Sequence, residues 1–189
     1  MAYPEIYVLR HGETEWNAEH RMQGRLNSPL TAKGIAQAER QGEIMRALGR
    51  DDLDLLCSPQ GRAFQTAAIV FAHAQTITTD AKLCEIDVGL WQGRLRQELV
   101  LECDLKETPD GPLALYEHAE GGEGFAALRE RCTQLLDSLT GPTALVTHGI
   151  TSRMLRLVYL GWDTGRMDEL PGGQGVVHHL SGVDQEILS

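Results

Sequence analysis

Two short apolar runs in this chain stop at the same dipeptide. Val8-Leu9-Arg10 ends at His11-Gly12, and Leu145-Val146-Thr147 ends at His148-Gly149. Each is rich in β-formers and breaks abruptly, as a buried strand does where it leaves a sheet. Helical and extended patterns alternate around them. Glu5–Leu9 predicts the first strand, and Thr31 then caps a helix whose apolar stripe is Ile35, Ala38, Gly42, Met45 and Leu48, closed by Gly49. Leu53–Cys57 predicts the second strand, after which Ser58-Pro59 supplies a cap and a first-turn proline for a helix to about Ala74. A short strand over Thr76–Thr79, helices near Arg96–Cys103, Phe125–Leu139 and Ser152–Leu160, and a strand at Ala144–Thr147 follow. Val176–Leu180 and Val183–Leu188 form a terminal hairpin about Ser181-Gly182. This alternation predicts a three-layer α/β/α sandwich with a mostly parallel central sheet.

In such sheets ligands bind beyond the carboxyl ends of the strands. His11 and His148 therefore fall where a ligand would lie, each with a glycine behind it that permits close backbone approach. Arg62 sits in the first turn of the helix after the second strand, at the same edge. A cation there opposes the helix dipole, and becomes reasonable when an anion lies between them.

Charge narrows the partners. With 17 basic and 27 acidic residues the formal charge is −10, against generic binding to nucleic acid or anionic membrane. Lysine occurs only at positions 33, 82 and 106, so the other 14 basic residues are arginines, the side chain suited to gripping phosphate or carboxylate. The 189 residues predict a single domain over 1–189. A lid or insertion is expected at about 94–123, where Glu98, Glu102, Asp104, Glu107, Asp110, Glu117, Glu120 and Glu123 accompany one lysine. Cys57, Cys84, Cys103 and Cys132 lack zinc-ribbon or redox-pair spacing, so reduced thiols in a cytoplasmic protein are expected. Met1-Ala2-Tyr3-Pro4-Glu5 lacks a basic region followed by an apolar run, so no secretory signal is expected, and no apolar stretch approaches the roughly 18 residues a bilayer requires.

Leu9-Arg10-His11-Gly12-Glu13-Thr14-Glu15-Trp16-Asn17 resembles the signature of the histidine phosphatase superfamily, in its phosphoglycerate mutase-like branch. The likeness continues in order. Ser28-Pro29-Leu30-Thr31, Ser58-Pro59 with Arg62, Leu83-Cys84-Glu85-Ile86 with Gly89, Trp91 and Gly93, and Thr147-His148-Gly149 are each similar to a family motif. The resemblance implies a phosphoglycerate mutase-like fold and assigns roles. His11 would attack phosphorus to form a phosphohistidine, splitting one displacement into two. It must be neutral to do so, and Arg10 and Arg62 would lower its pKa. Arg10, Arg62 and His148 would bind the equatorial oxygens in place of a metal, so no metal or cofactor is expected. Glu85 would protonate the leaving alkoxide and later activate water, which requires a raised pKa, with Glu13, Asp87 and Glu98 as the other possible carboxylates. Asn17, Gln23, Gly24 and Gly149 would complete the phosphate pocket, although Asn17 could instead cap its own loop.

Other features carry less. His178 and His179, in one strand, point to opposite faces and cannot share a metal. His20, His73 and His118 have no ligand-spaced partner. Gly121–Gly124 and Gly172–Gly175 read as turns; the first resembles a family segment before the helix bearing Arg129, with Gly124 where the family has Ser.

The implied activity is hydrolysis of a small phosphorylated metabolite by a metal-independent phosphomonoesterase, as a monomer or homodimer. The alternatives are a cofactor-dependent phosphoglycerate mutase and a non-catalytic phosphate-binding regulator. Against the mutase stand the modest length, Ile150 where mutases carry Asn, and Gln92 in place of the usual Glu. The acidic segment 98–123 is also expected to disfavour a second strongly anionic group, favouring a sugar or nucleoside-like phosphate such as α-ribazole phosphate. Intact Arg10, His11, Arg62, Glu85 and His148 argue against the pure binder, which needs no proton donor.

Overall fold

The computed structural model describes residues 3–74, 76–106 and 112–189. Six strands form one sheet: β1 (Ile6–Arg10), β2 (Asp54–Cys57), β3 (Thr78–Thr79), β4 (Thr143–Thr147), β5 (Val177–Ser181) and β6 (Asp184–Leu188), in the order β3-β2-β4-β1-β5-β6. The first four in that order run parallel, and the hairpin β5–β6 adds antiparallel on the far side of β1. The carboxyl ends of β2, β4 and β1 are thus neighbours, and the loops leaving them begin at Ser58, His148 and His11.

Strand alternation explains the layers. Ile6 and Val8 of β1 and Leu145 of β4 face one core, with α6 (Gly124–Ser138) and α7 (Gly149–Tyr159) upon it. Tyr7, Leu9, Ala144 and Val146 face the other, covered by α2 (Ala32–Ala47) and α3 (Gly61–Val70). Fully burying a Leu or Ile side chain in such a core stabilises by about 2 kcal/mol. Cys57, Cys84 and Cys132 are buried in these layers as free thiols, and Cys103 is half-buried. Among the described residues no helix is long and apolar enough to cross a membrane.

Several expectations need correction. Ile35 is exposed, while Ala38, Gly42 and Met45 of the expected α2 stripe are buried and are joined by Gly34 and Gln41. Gln41 tolerates burial because its Nε2 donates to the carbonyls of Arg10 and Val176, at 3.0 and 2.9 Å. The helix after β2 is capped by Gln60 rather than Ser58 and ends at Val70, where Phe71 leaves the helical region. The last long helix starts at Gly149, three residues before the expected Ser152, so that its N-terminus directly follows His148. In the segment 94–123, α4 (Arg96–Glu102) and α5 (Leu115–His118) are helical, while Glu107 and Asp110 fall in 107–111, outside the described residues.

The glycine behind His11 has a definite partner. A Cβ on Gly12 would lie under 3 Å from the Gly34 carbonyl, and one on Gly34 under 3 Å from the backbone of Glu13. The His11-Gly12 turn and α2 therefore meet backbone to backbone. Gly34→Ala is expected to destabilise by about 3 kcal/mol or more, since neither backbone can retreat. Gly141→Ala, with nothing within 4 Å of the new methyl, should stay within about 0.5 kcal/mol of the parent. Urea unfolding of both variants checks the pair.

Candidate active site

The three neighbouring strand ends deliver His11, Arg62 and His148 to one place, all essentially buried. His11 Nδ1 lies 2.7 Å from the Gly12 carbonyl, and a carbonyl only accepts, so Nδ1 carries the proton. Nε2 then presents its lone pair, which accepts from Arg62 Nε at 3.2 Å. Arg62 also donates Nη1 to the Leu26 carbonyl at 2.6 Å and Nη2 to the Gly24 carbonyl at 2.9 Å. Three of its five N–H groups are engaged, and two remain for a ligand.

His148 meets His11 edge-on, with ring centroids 5.1 Å apart. Its Nε2 is 2.8 Å from Ser58 Oγ, which in turn accepts from Gln60 N at 3.3 Å. His148 Nδ1 is buried and has no hydrogen-bond partner among the described residues. Sequence reading took Ser58 for a helix cap; the hydroxyl instead serves the histidine of the next strand.

Both imidazoles are held well below their ordinary value. Burial is the largest cause, with the charges of Arg62 and Arg10 adding to it at each ring. The direction expected for His11 is met, but desolvation leads and the arginines follow. Burial also brings Arg62 down to about 10, still charged at neutral pH.

Glu85 is fixed by α7. Its Oε2 accepts from Ile150 N at 3.2 Å, and its Oε1 from Thr151 N at 3.1 Å, Thr151 Oγ1 at 3.0 Å and its own neighbour Ile86 N at 3.0 Å. Its backbone N donates to Gln60 Oε1 at 2.6 Å. The early start of α7 thus gives the carboxylate two helix N-terminal N–H groups. Oε2, with one partner, is the oxygen left for chemistry.

These groups surround a cavity of about 240 Å³. Of the residues singled out from sequence, Arg10, His11, Asn17, Gln23, Gly24, Arg62, Glu85 and Gly149 line it. His148 lies behind His11 rather than on the wall. Asn17 does both things considered for it: it completes a capping box with Thr14 and also faces the cavity. A Cβ on Gly149 would press on the Arg10 guanidinium at 3.2 Å, so the glycine admits that side chain.

Sequence reading missed His20, Arg21, Arg96, Tyr116, Arg153 and Gln174, which line the same cavity. The described acidic residues of the segment 98–123 face solvent or pair with arginine, as in a solvated insertion. Glu98, Glu102, Asp104, Glu117 and Glu120 are exposed. Glu102 pairs with Arg94, and Glu123 pairs with Arg131 at 2.8 Å. Among the described residues of 94–123, Arg96 and Tyr116 are the ones that line the cavity. Arg129 is turned away, donating to the Trp162 carbonyl at 2.9 Å. His178 is buried against Arg156 at 3.4 Å, while His179 lies between Glu5 and Glu186 at 2.6 and 2.7 Å, on opposite sheet faces as alternation requires.

The depressed imidazoles have a consequence for stability. Burial and the charges of Arg156 and Arg153 take His178 down to about 3. For such groups the unfolded chain binds more protons below its ordinary value of 6.5, so stability is full above that pH and declines as pH falls. Each histidine contributes a slope approaching 1.4 kcal/mol per pH unit, roughly, until its folded value is reached. Equilibrium denaturation between about pH 8 and pH 5 should show the loss setting in near 6.5. In His178→Gln the slope should shrink by about one proton's worth.

Comparison with known proteins agrees with this geometry. The family profile of the histidine phosphatase superfamily (branch 1) matches residues 6–187. A relative from Salmonella paratyphi C (strain RKS4594), named a probable phosphoglycerate mutase GpmB, is 38% identical over 169 residues, covering 83% of this chain and 75% of that protein. The crystal structure of the α-ribazole phosphatase from Shigella flexneri superposes with a TM-score of 0.78 at 27% identity, over 94% of this chain and 90% of that one. The mycobacterial glucosyl-3-phosphoglycerate phosphatase Rv2419c, solved with VO3, gives 0.76 at 28%, over 97% and 96%. Matched from the first strand to the last, and with its two strand-end histidines ring against ring, the chain belongs to the histidine phosphatase superfamily, as an enzyme of the phosphoglycerate mutase family.

Proposed function

We propose that this enzyme is a phosphomonoesterase that hydrolyses a small phosphorylated metabolite through a phosphohistidine on His11, without a metal ion, in the cytoplasm. The observation that carries the reading is the fixed tautomer of His11. A neutral ring with Nδ1 tied to Gly12 and a buried lone pair on Nε2 is a prepared nucleophile. An incoming phosphoryl group takes the free N–H groups of Arg62, and its oxygens draw the guanidinium off Nε2. Nε2 then forms a bond to phosphorus as the P–O bond to the alcohol breaks, and the leaving oxygen takes the proton of Glu85. Water next gives its proton to the Glu85 carboxylate and attacks phosphorus, releasing phosphate and restoring His11.

Two side chains support hydrolysis over phosphoryl return. Ile150 is nearly buried on the cavity wall and offers no polar side-chain group to hold a second substrate position. Gln92 is occupied elsewhere, its Oε1 accepting from Arg25 N and Leu26 N at 2.8 and 3.0 Å. The mutase reading keeps one structural argument: Arg21, Arg96 and Arg153 border the cavity and suit a substrate with a second acidic group. The name of the GpmB relative points the same way.

Turnover of a phosphomonoester panel with EDTA present tests the proposal. His11→Ala should lose at least about 10⁴-fold in kcat, and Glu85→Gln about 10²–10⁴-fold. Acid quench should trap labile phosphohistidine in the parent and none in His11→Ala. Exchange between 2- and 3-phosphoglycerate, stimulated by the bisphosphate and faster than hydrolysis, would establish the mutase instead.

A further inference from the structure

The Gly172–Gly175 stretch has the look of a plain turn, yet its one side chain reaches the nucleophile. Gly173 and Gly175 adopt φ +137° and +78°, which side-chain-bearing residues rarely do, and between them Gln174 projects into the cavity wall. Gln174 Nε2 lies 3.1 Å from the His11 carbonyl and 3.4 Å from Asn17 Oδ1. The carbonyl can only accept, so the amide orientation of Gln174 is settled: the nitrogen faces His11. The Asn17 amide is settled by the same reasoning, because its oxygen accepts from Thr14 N at 3.2 Å. Asn17 Oδ1 therefore receives two donors, and Nδ2 is the end left for a ligand.

The segment carrying Gln174 is itself fastened from both sides. Arg156 Nη2 donates to the Pro171 carbonyl at 2.8 Å, and Arg153 Nε to the Leu170 carbonyl at 3.1 Å. Both arginines belong to α7, whose first turn holds Glu85. At its other end Gln41 ties Val176 to the Arg10 carbonyl. Gln174 thus hangs on a strap held by the same helix that holds the carboxylate.

We propose that Gln174 is a positioning residue of the phosphate pocket, which locks the His11 carbonyl and turns the Asn17 amide so that Nδ2 faces bound phosphoryl oxygen. The proposal rests on the phosphatase reading for its ligand, a tetrahedral or bipyramidal oxyanion, but its test does not need turnover. The probe is orthovanadate, its dissociation constant read on the full chain by thermal shift, with KM and kcat for p-nitrophenyl phosphate alongside.

Loss of one such hydrogen bond corresponds to about tenfold in affinity. Gln174→Ala and Asn17→Ala should each weaken vanadate about tenfold and raise KM more than they lower kcat. The double variant should be within about twofold of the worse single one, because both remove the same donor. Gln174→Glu keeps the shape but sets a carboxylate against two oxygens and the bound anion, so it should weaken vanadate more than Gln174→Ala does. Costs that multiply in the double variant would overturn the proposal. So would Gln174→Glu binding vanadate like the parent, or variants that shift only the unfolding temperature. A parent that binds vanadate but hydrolyses nothing would refute the phosphatase reading while leaving this comparison decisive. A parent that binds none would refute both.

Discussion

The buried guanidinium of Arg62 is the interaction around which this site is assembled. A charge removed from water must be met by acceptors, and here they are backbone carbonyls rather than a carboxylate: Gly24 and Leu26, with His11 Nε2 on the third N–H. Asn27 closes the same turn by accepting from Arg62 N at 2.9 Å. The loop after His11 is therefore wrapped around the first turn of α3 by the residue that would bind phosphate. Gly24, at φ +52°, takes a second donor from Gln60 Nε2, and Gln60 Oε1 in turn accepts from Glu85 N. One hydrogen-bonded chain runs from His11 to Glu85. Replacing Arg62 removes a charge and also unfastens the loop, so its effects on binding and on order cannot be separated by a single substitution.

Placing carbonyls rather than a contacting carboxylate around a permanent cation leaves much of its charge to the site, offset in part by the field of Glu85. That surplus helps to keep His11 and His148 neutral and is available to a dianion. The helix α7 supplies the complementary half. Its N-terminus attracts the Glu85 carboxylate, and its buried arginines, Arg153 and Arg156, hold the strap that bears Gln174. Arg156 meets only carbonyls, Gln185 and His178, and burial with the nearby Arg153 charge takes it down to about 9. Both arginines act as ties to backbone oxygen, a use for which the five-donor fork is suited and an ammonium is not.

What could be read from the sequence was local. Strand ends, the His-Gly breaks and the first-turn position of Arg62 follow from runs of five or six residues, and the structure places them together as sheet topology demands. What could not be read depends on neighbours distant along the chain. Ile35 looked like core because period alone cannot see that Gln41 finds two carbonyls and takes the buried face. Ser58 looked like a cap because its partner, His148, is 90 residues away. The acidic segment seemed to describe the pocket because charge was summed without direction, while Arg96 and Tyr116 are the described residues of 94–123 that line the cavity. Gln174 lay in a glycine-rich turn, where composition says nothing of the one amide it presents.

The scarcity of lysine has a practical side. Lys33, Lys82 and Lys106 are the whole complement, and none lines the cavity. Lys33 is mostly exposed and Lys82 half so. Every basic side chain that borders the cavity among the described residues is an arginine or a histidine, and none offers a primary amine. An amine-reactive surface should therefore form its lasting bonds to the side chains of these lysines outside the pocket, leaving the pocket open to whatever phosphate is passed over it.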